Sequence, residues 1–150
     1  MPPALRRSLD LIRRLMPPEQ PWWLIGSAAL FLSGVRVTVR DVDVYGPSEV
    51  IEAARIALGV PVSAPRADDR FRSRPYFQYR PPGGLEIDFM GGLQVFSAGD
   101  WCELQIESDA WIEGVRVPSI PDQLAILQLF ARKKDLERAA VLRCLNKALY

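Results

Sequence analysis

The stretch that decides the fold is Arg40-Asp41-Val42-Asp43-Val44-Tyr45-Gly46, RDVDVYG. Side chains of a strand alternate between faces, so Asp41 and Asp43 share one face while Val42 and Val44 share the other. Two valines on one side fit burial. Two like charges on the other side fit either a solvated surface or a cation held between the carboxylates.

The neighbouring segments favour the cation. Upstream, WWLIG (22–26) reads as a buried strand that runs directly into SAALFLSG (27–34), a short apolar helix with Ser27 as N-cap and Gly34 as its stop. Downstream, PSEVIEAARIALG (47–59) reads as a helix with Ser48 as cap and Gly59 past its end. Farther on, LEIDFMGG (85–92) presents Asp88 on a third strand, with Glu86 on the same face by alternation. The helix between Gly26 and Asp41 is short enough to return the chain beside its starting strand, and paired strands lie about 4.8 Å apart. The three aspartates can therefore meet at one end of a small sheet.

Such a meeting is costly if unaided. Two unit charges at 4 Å repel by about 4 kcal/mol at an effective dielectric near 20. Protonation, an arginine partner or a metal ion would relieve it. Magnesium takes oxygen ligands and completes its shell with phosphate oxygens. The Gly26-Ser27 turn offers the complementary half, because glycine lets a phosphate approach the backbone at a helix start. A calcium loop is a competing reading, since Asp41 to Glu52 has acids at loop positions one, three and twelve and glycine at six. Tyr45 stands where an oxygen ligand is needed, Pro47 disturbs the loop, and the preceding GVRVTVR is unlike an entering helix.

The rest of the chain frames this centre. PALRRSLDLIRRL (3–15) spaces Leu5, Leu9, Ile12 and Leu15 for one helix face, ended by Pro17, Pro18 and Pro21, with Arg6, Arg7, Arg13 and Arg14 on the solvated side. Residues 60–75 read as strand fragments and an exposed loop. YFQYR (76–80) and LEIDFM (85–90) read as strands joined by a PPGG turn. Trp101 falls in a loop, followed by strands in ELQIES (103–108) and WIEGVRVP (111–118), the latter turning at Glu113-Gly114. The tryptophans read as packing residues, although Trp101 is also placed to stack on a base. Pro121 opens a helix, PDQLAILQLFAR. A last helix over 134–149 carries a stripe of Leu136, Ala139, Leu142 or Arg143, Leu145 and Leu149. The expected architecture is one α/β (α+β) domain over 1–150: a small mixed sheet flanked by helices, with an N-terminal helix and two C-terminal helices.

Composition narrows the chemistry. Of 150 residues, 49% are apolar and none is histidine, so the chain folds without the usual serine and cysteine triads or histidine-rich zinc sites. Carboxylates, lysine or arginine, hydroxyls and a hard metal ion remain. A net charge of +1 gives no general argument for nucleic acid or membrane. Cys102 and Cys144 have no metal-type spacing and read as reduced thiols in a cytoplasmic protein without a visible signal peptide. The longest apolar run, 21–32, is too short to span a bilayer.

The assembled pattern IGSAALFLSG…RDVDVYG…LEIDFMG resembles the signature of the DNA polymerase β-like nucleotidyltransferase superfamily, and the flanking helices are similar to those of its small single-domain members. The resemblance covers nearly the full length. It implies that Asp41, Asp43 and Asp88 ligate divalent ions, Mg²⁺ or Mn²⁺, and that Asp88 also helps activate an incoming hydroxyl. Gly26 and Ser27 match the turn that contacts a nucleoside triphosphate (NTP). The implied reaction transfers a nucleoside monophosphate from the NTP, ATP among the candidates, to an unidentified hydroxyl acceptor: protein, RNA or small molecule. Three departures stand out. Arg36 and Thr38 sit one residue farther from the first aspartate than in many relatives, while Arg40 adjoins it. Gln128 replaces a lysine of toxin-like relatives, a role the Arg132, Lys133, Lys134 cluster can take, Lys134 foremost. A catalytically silent nucleotide-binding or antitoxin-like regulatory module of the same fold, acting on a partner protein, remains a second reading of the same residues.

Overall fold

The computed structural model describes residues 1–62 and 64–149, with side chains described to Lys147. Two hydrophobic stripes set the frame. The helix α1 (Pro3–Leu15) presents Leu5, Leu9 and Ile12, all fully buried, as its spacing predicts. The strands β1 (Trp23–Ile25), β2 (Asp41–Gly46), β5 (Tyr76–Tyr79) and β6 (Glu86–Gly91) form the sheet beneath it, in the order β1-β2-β6-β5. The sheet is mixed: β2 runs parallel to β6, while β1 and β5 run antiparallel to their neighbours.

One face of this sheet makes the main core. Val42, Val44, Ile87 and Phe89 are fully buried there, and Phe77 stacks on Phe89 with ring centroids 4.5 Å apart. Removing a side chain of this size from water contributes about 1.5–3 kcal/mol each. The helix α3 (Ser48–Leu58) adds Val50, Ile51 and Ala54 to the same cluster and ends at Gly59 in the left-handed region, as expected.

The other elements surround the sheet. A helix α2 (Gly26–Leu32) follows β1 without a connecting loop. A second sheet pairs β3 (Arg66–Ala67), β4 (Phe71–Ser73), β7 (Gln94–Ser97) and β8 (Asp100–Glu103) in that order. A hairpin of β9 (Asp109–Ile112) and β10 (Val115–Pro118) turns at Glu113-Gly114, and α4 (Ile120–Phe130) and α5 (Lys133–Leu149) close the chain. No described helix is long and apolar enough to cross a membrane. Cys102 and Cys144 are free thiols.

Several local expectations are corrected. Ser27 does not cap α2, which begins at Gly26 after Ile25, and Ser48 does not cap α3. Instead, the Ser48 hydroxyl donates to the Arg74 carbonyl at 2.6 Å, tying α3 to the end of β4. The side-chain cap that does form is at Ser119, which accepts from the Asp122 N–H ahead of Pro121. Trp101 lies on β8, not in a loop, where the Arg72 guanidinium sits 4.2 Å from its ring centroid. ELQIES is not a strand beyond Glu103: Leu104 and Ile106 face the second apolar cluster without a pairing partner strand. On α5, Leu136 is exposed while Asp135 is buried, so the stripe runs through Ala139, Leu142 and Leu145. Leu149 lies outside the described side chains. Asp41–Gly46 is a strand paired on both sides, which rules out the calcium loop.

Candidate active site

The parallel register of β2 and β6 builds the acidic centre. Asp43 pairs directly with Asp88, and Asp41 with Glu86, so all four side chains fall on the face opposite the valine core. Carboxylate oxygens of Asp41, Asp43 and Asp88 lie within 4.8 Å of one another. Glu86 turns to the rim, with an oxygen 3.6 Å from Arg80, and is not part of the cluster.

Gly26 is required where the chain crosses this centre. It holds φ +70°, and a Cβ there would stand 2.7 Å from Asp43 Oδ2. Any other residue would both strain the backbone and displace the acid. The backbone of the β1–α2 turn thus lies against the carboxylate, with Ser27 buried beside it.

The environment treats the acids unequally. Burial pushes the Asp43 carboxyl up to about 7, reinforced by the charges of Asp41 and then Asp88, while Arg66 and Lys134 pull the other way. Asp88 is held by two donors on one oxygen: Tyr76 Oη and Gln78 Nε2 each reach Oδ1 at 2.7 Å. Gln78 stands directly opposite Asp88 on β5. Burial, then the bond to Asp88, raises the Tyr76 hydroxyl above its ordinary value, so it remains a donor. Among the described residues, Asp88 Oδ2 takes no hydrogen bond and is free for another ligand.

A cleft of about 520 Å³ opens over this centre. Gly26, Ser27, Arg40, Lys134 and the three aspartates all line it, so the seven residues singled out in the sequence converge. Thr38 joins them, whereas Arg36, Gln128 and Lys133 do not. The sequence reading missed Arg66 and Arg138, which add positive charge to the lining. It also missed Tyr76 and Gln78: the PPGG turn makes YFQYR the partner of LEIDFM, but does not fix the register that sets Gln78 opposite Asp88. The alternation of YFQYR could have suggested that Tyr76 and Gln78 share a face. Leu30, Ile126, Leu127 and Phe130 supply an apolar wall.

The junction of α4 and α5 places Lys134. Ala131 ends α4 in the left-handed region, and Asp135, almost fully buried, accepts from the Arg132 backbone at 3.2 Å and from its Nε at 2.6 Å. Arg132 is therefore neutralised within the junction, leaving Lys134, Arg66, Arg40 and Arg138 as the cleft's cations. Gln123 fixes the wall: its Nε2 donates to Ser33 Oγ and to the Pro118 carbonyl, both at 2.8 Å.

No protein-family model matches the chain, and no curated protein sequence matches it. Solved structures do. A candidate nucleotidyltransferase, TM1012 from Thermotoga maritima, is similar over 95% of this chain and 92% of its own, with TM-score 0.69 and 22% identity. The lincosamide antibiotic adenylyltransferase LnuA, solved with lincomycin bound, is similar over 91% and 92%, with TM-score 0.51 and 15% identity. With a mixed sheet, an acidic centre against a glycine turn, and helices at both ends, the chain has the nucleotidyltransferase-like fold.

Proposed function

We propose that the protein is a metal-dependent nucleotidyltransferase that moves a nucleoside monophosphate from an NTP to a hydroxyl acceptor. The observation that carries this reading is the convergence of Asp41, Asp43 and Asp88 within 4.8 Å, against the Gly26 turn. The donor set fits a hard divalent ion such as Mg²⁺ or Mn²⁺: all-oxygen, anionic, and containing one acid whose ionisation is suppressed until positive charge arrives. Bound by the three carboxylates, such ions would neutralise the triphosphate and polarise the phosphorus under attack.

The chain's own groups do the rest. Arg40, Arg66 and Lys134 draw the triphosphate along the cleft, and the Gly26-Ser27 backbone lets it come close. Leu30, Ile126 and Leu127 give the nucleoside an apolar surface. Tyr76 and Gln78 lock Asp88 through Oδ1, so that Oδ2 is presented to the acceptor. The acceptor oxygen forms a bond to the α-phosphorus, the bond from that phosphorus to the β-phosphate oxygen breaks, and pyrophosphate leaves. The acceptor's proton passes to Asp88 Oδ2.

The test is thermal unfolding with each NTP in Mg²⁺, paired with a pyrophosphate-release assay. At least one NTP with Mg²⁺ should raise the melting temperature, and Asp43→Asn should abolish the rise. No shift with any triphosphate would sink the proposal.

A further inference from the structure

A second cleft, of about 260 Å³, lies beyond Arg66. Its lining includes Ser48, Arg66, Arg72, Ser73, Arg74 and Gly92, and contains no acid among the described residues. Arg66 also lines the catalytic cleft, so the two spaces share one residue.

The lining is dominated by hydrogen-bond donors. Arg74 is exposed and forms no ion pair among the described residues. Arg72 is held over Trp101 and donates to Gln94 Oε1 at 2.5 Å, which fixes where its charge sits. Arg66 meets Asp68 only loosely, at 3.7 Å. The Ser73 hydroxyl is the independent sign of a missing ligand: Ser73 is 4% exposed, and its Oγ has no hydrogen-bond partner among the described residues. A buried hydroxyl left unpaired is destabilising, which is relieved when a ligand supplies an acceptor. Ser73 pairs directly with Arg66 across β3 and β4, so the two side chains share a face. Arg72 lies on the other face of the same strand by alternation, and Arg74 follows directly after the strand's last residue. The eleven-residue α3 also begins here, at Ser48, with no side chain capping it.

Donors approaching from both faces of a strand end suit a ligand with acceptor oxygens in more than one plane, as in a tetrahedral phosphate, better than a planar carboxylate. We propose that this cleft is a second anion subsite that binds a phosphate group of the acceptor molecule, next to but separate from the triphosphate track. The assignment to the acceptor rests on the nucleotidyl-transfer reading. The existence of the subsite does not.

Calorimetric titration of the full chain with inorganic phosphate, without metal or nucleotide, tests the subsite. One saturable site is expected. Arg74→Gln should weaken it by about tenfold or more, and Ser73→Ala by about threefold, whereas Lys134→Gln should leave it within about twofold. A melting temperature for Ser73→Ala at or above that of the wild type would keep the comparison meaningful even if Arg74→Gln folds poorly. No saturable binding, or binding lost in Lys134→Gln and kept in both Arg74→Gln and Ser73→Ala, would overturn the proposal. Repeating the titration with a non-hydrolysable ATP analogue and Mg²⁺ present tests the acceptor role. Phosphate should still bind the nucleotide-saturated protein, and competition between the two would overturn that role. Failure of every nucleotide to bind would remove the nucleotidyl-transfer reading while the phosphate titration still decides the subsite.

Discussion

The two faces of the β2–β6 pair are made from the same strands and do opposite things. One carries Val42, Val44, Ile87 and Phe89, fully buried and close-packed. The other carries Asp41, Asp43 and Asp88, held together against their own repulsion. Stability resides on the first face, and the second draws on it: the acids stay close because the register beneath them is fixed by apolar packing. The contrast teaches that the acidic face is stressed in the free protein and that a cation relaxes it.

Changes on the apolar face should be largest. Phe89→Ala removes the ring stacked on Phe77 and should cost about 3–5 kcal/mol in unfolding free energy, measured by denaturant titration. A loss below 1 kcal/mol would mean the register has another anchor. The acidic face should respond with the opposite sign. Asp43→Asn, measured in EDTA at pH 8, should stabilise the free protein by on the order of 1–3 kcal/mol while abolishing the response to Mg²⁺.

Between these extremes lies the glycine. Gly26→Ala should destabilise by about 1–2 kcal/mol through its positive φ, and displacement of Asp43 should also remove Mg²⁺-dependent stabilisation. An unchanged Mg²⁺ response would show that the turn does not crowd the acid.

Acidity sharpens the contrast further. The folded protein holds the Asp43 proton up to about pH 7, whereas the unfolded chain releases it near the ordinary aspartate value, about 3.9. Between those values the folded state binds more protons, so this group's contribution to stability falls as pH rises and levels off above about 7. Melting temperature against pH in EDTA should show this decline, Asp43→Asn should lack it, and Mg²⁺ should stabilise more at pH 8 than at pH 5. The smallest effect belongs to Tyr76→Phe, which removes one of two donors on Asp88 and should weaken Mg²⁺-dependent stabilisation only a few-fold.

The legible parts were those encoded locally. Alternation in RDVDVYG placed the valines and acids on opposite faces, heptad-like spacing gave α1, and PPGG gave the β5–β6 turn. The meeting of Asp88 with Asp43 depends on a parallel register between strands more than forty residues apart, and spacing permitted it without specifying it. The β3–β4 region was obscured because strands of two and three residues, broken by prolines and mixed charge, carry too few alternations to read. Arg66 was lost with them, although it serves both clefts. Ser27 and Ser48 looked like caps because serine before an apolar run has that meaning on average. Here close backbone contact at Gly26 and the Ser48–Arg74 bond took precedence.

The most direct test of the central claim is a crystal structure grown with Mn²⁺ and a non-hydrolysable NTP analogue, read by anomalous scattering. The expected result is anomalous density bridging the carboxylates of Asp41, Asp43 and Asp88, with the triphosphate running past Gly26 toward Lys134. Ordered nucleotide elsewhere, or manganese absent from all three acids, would contradict it.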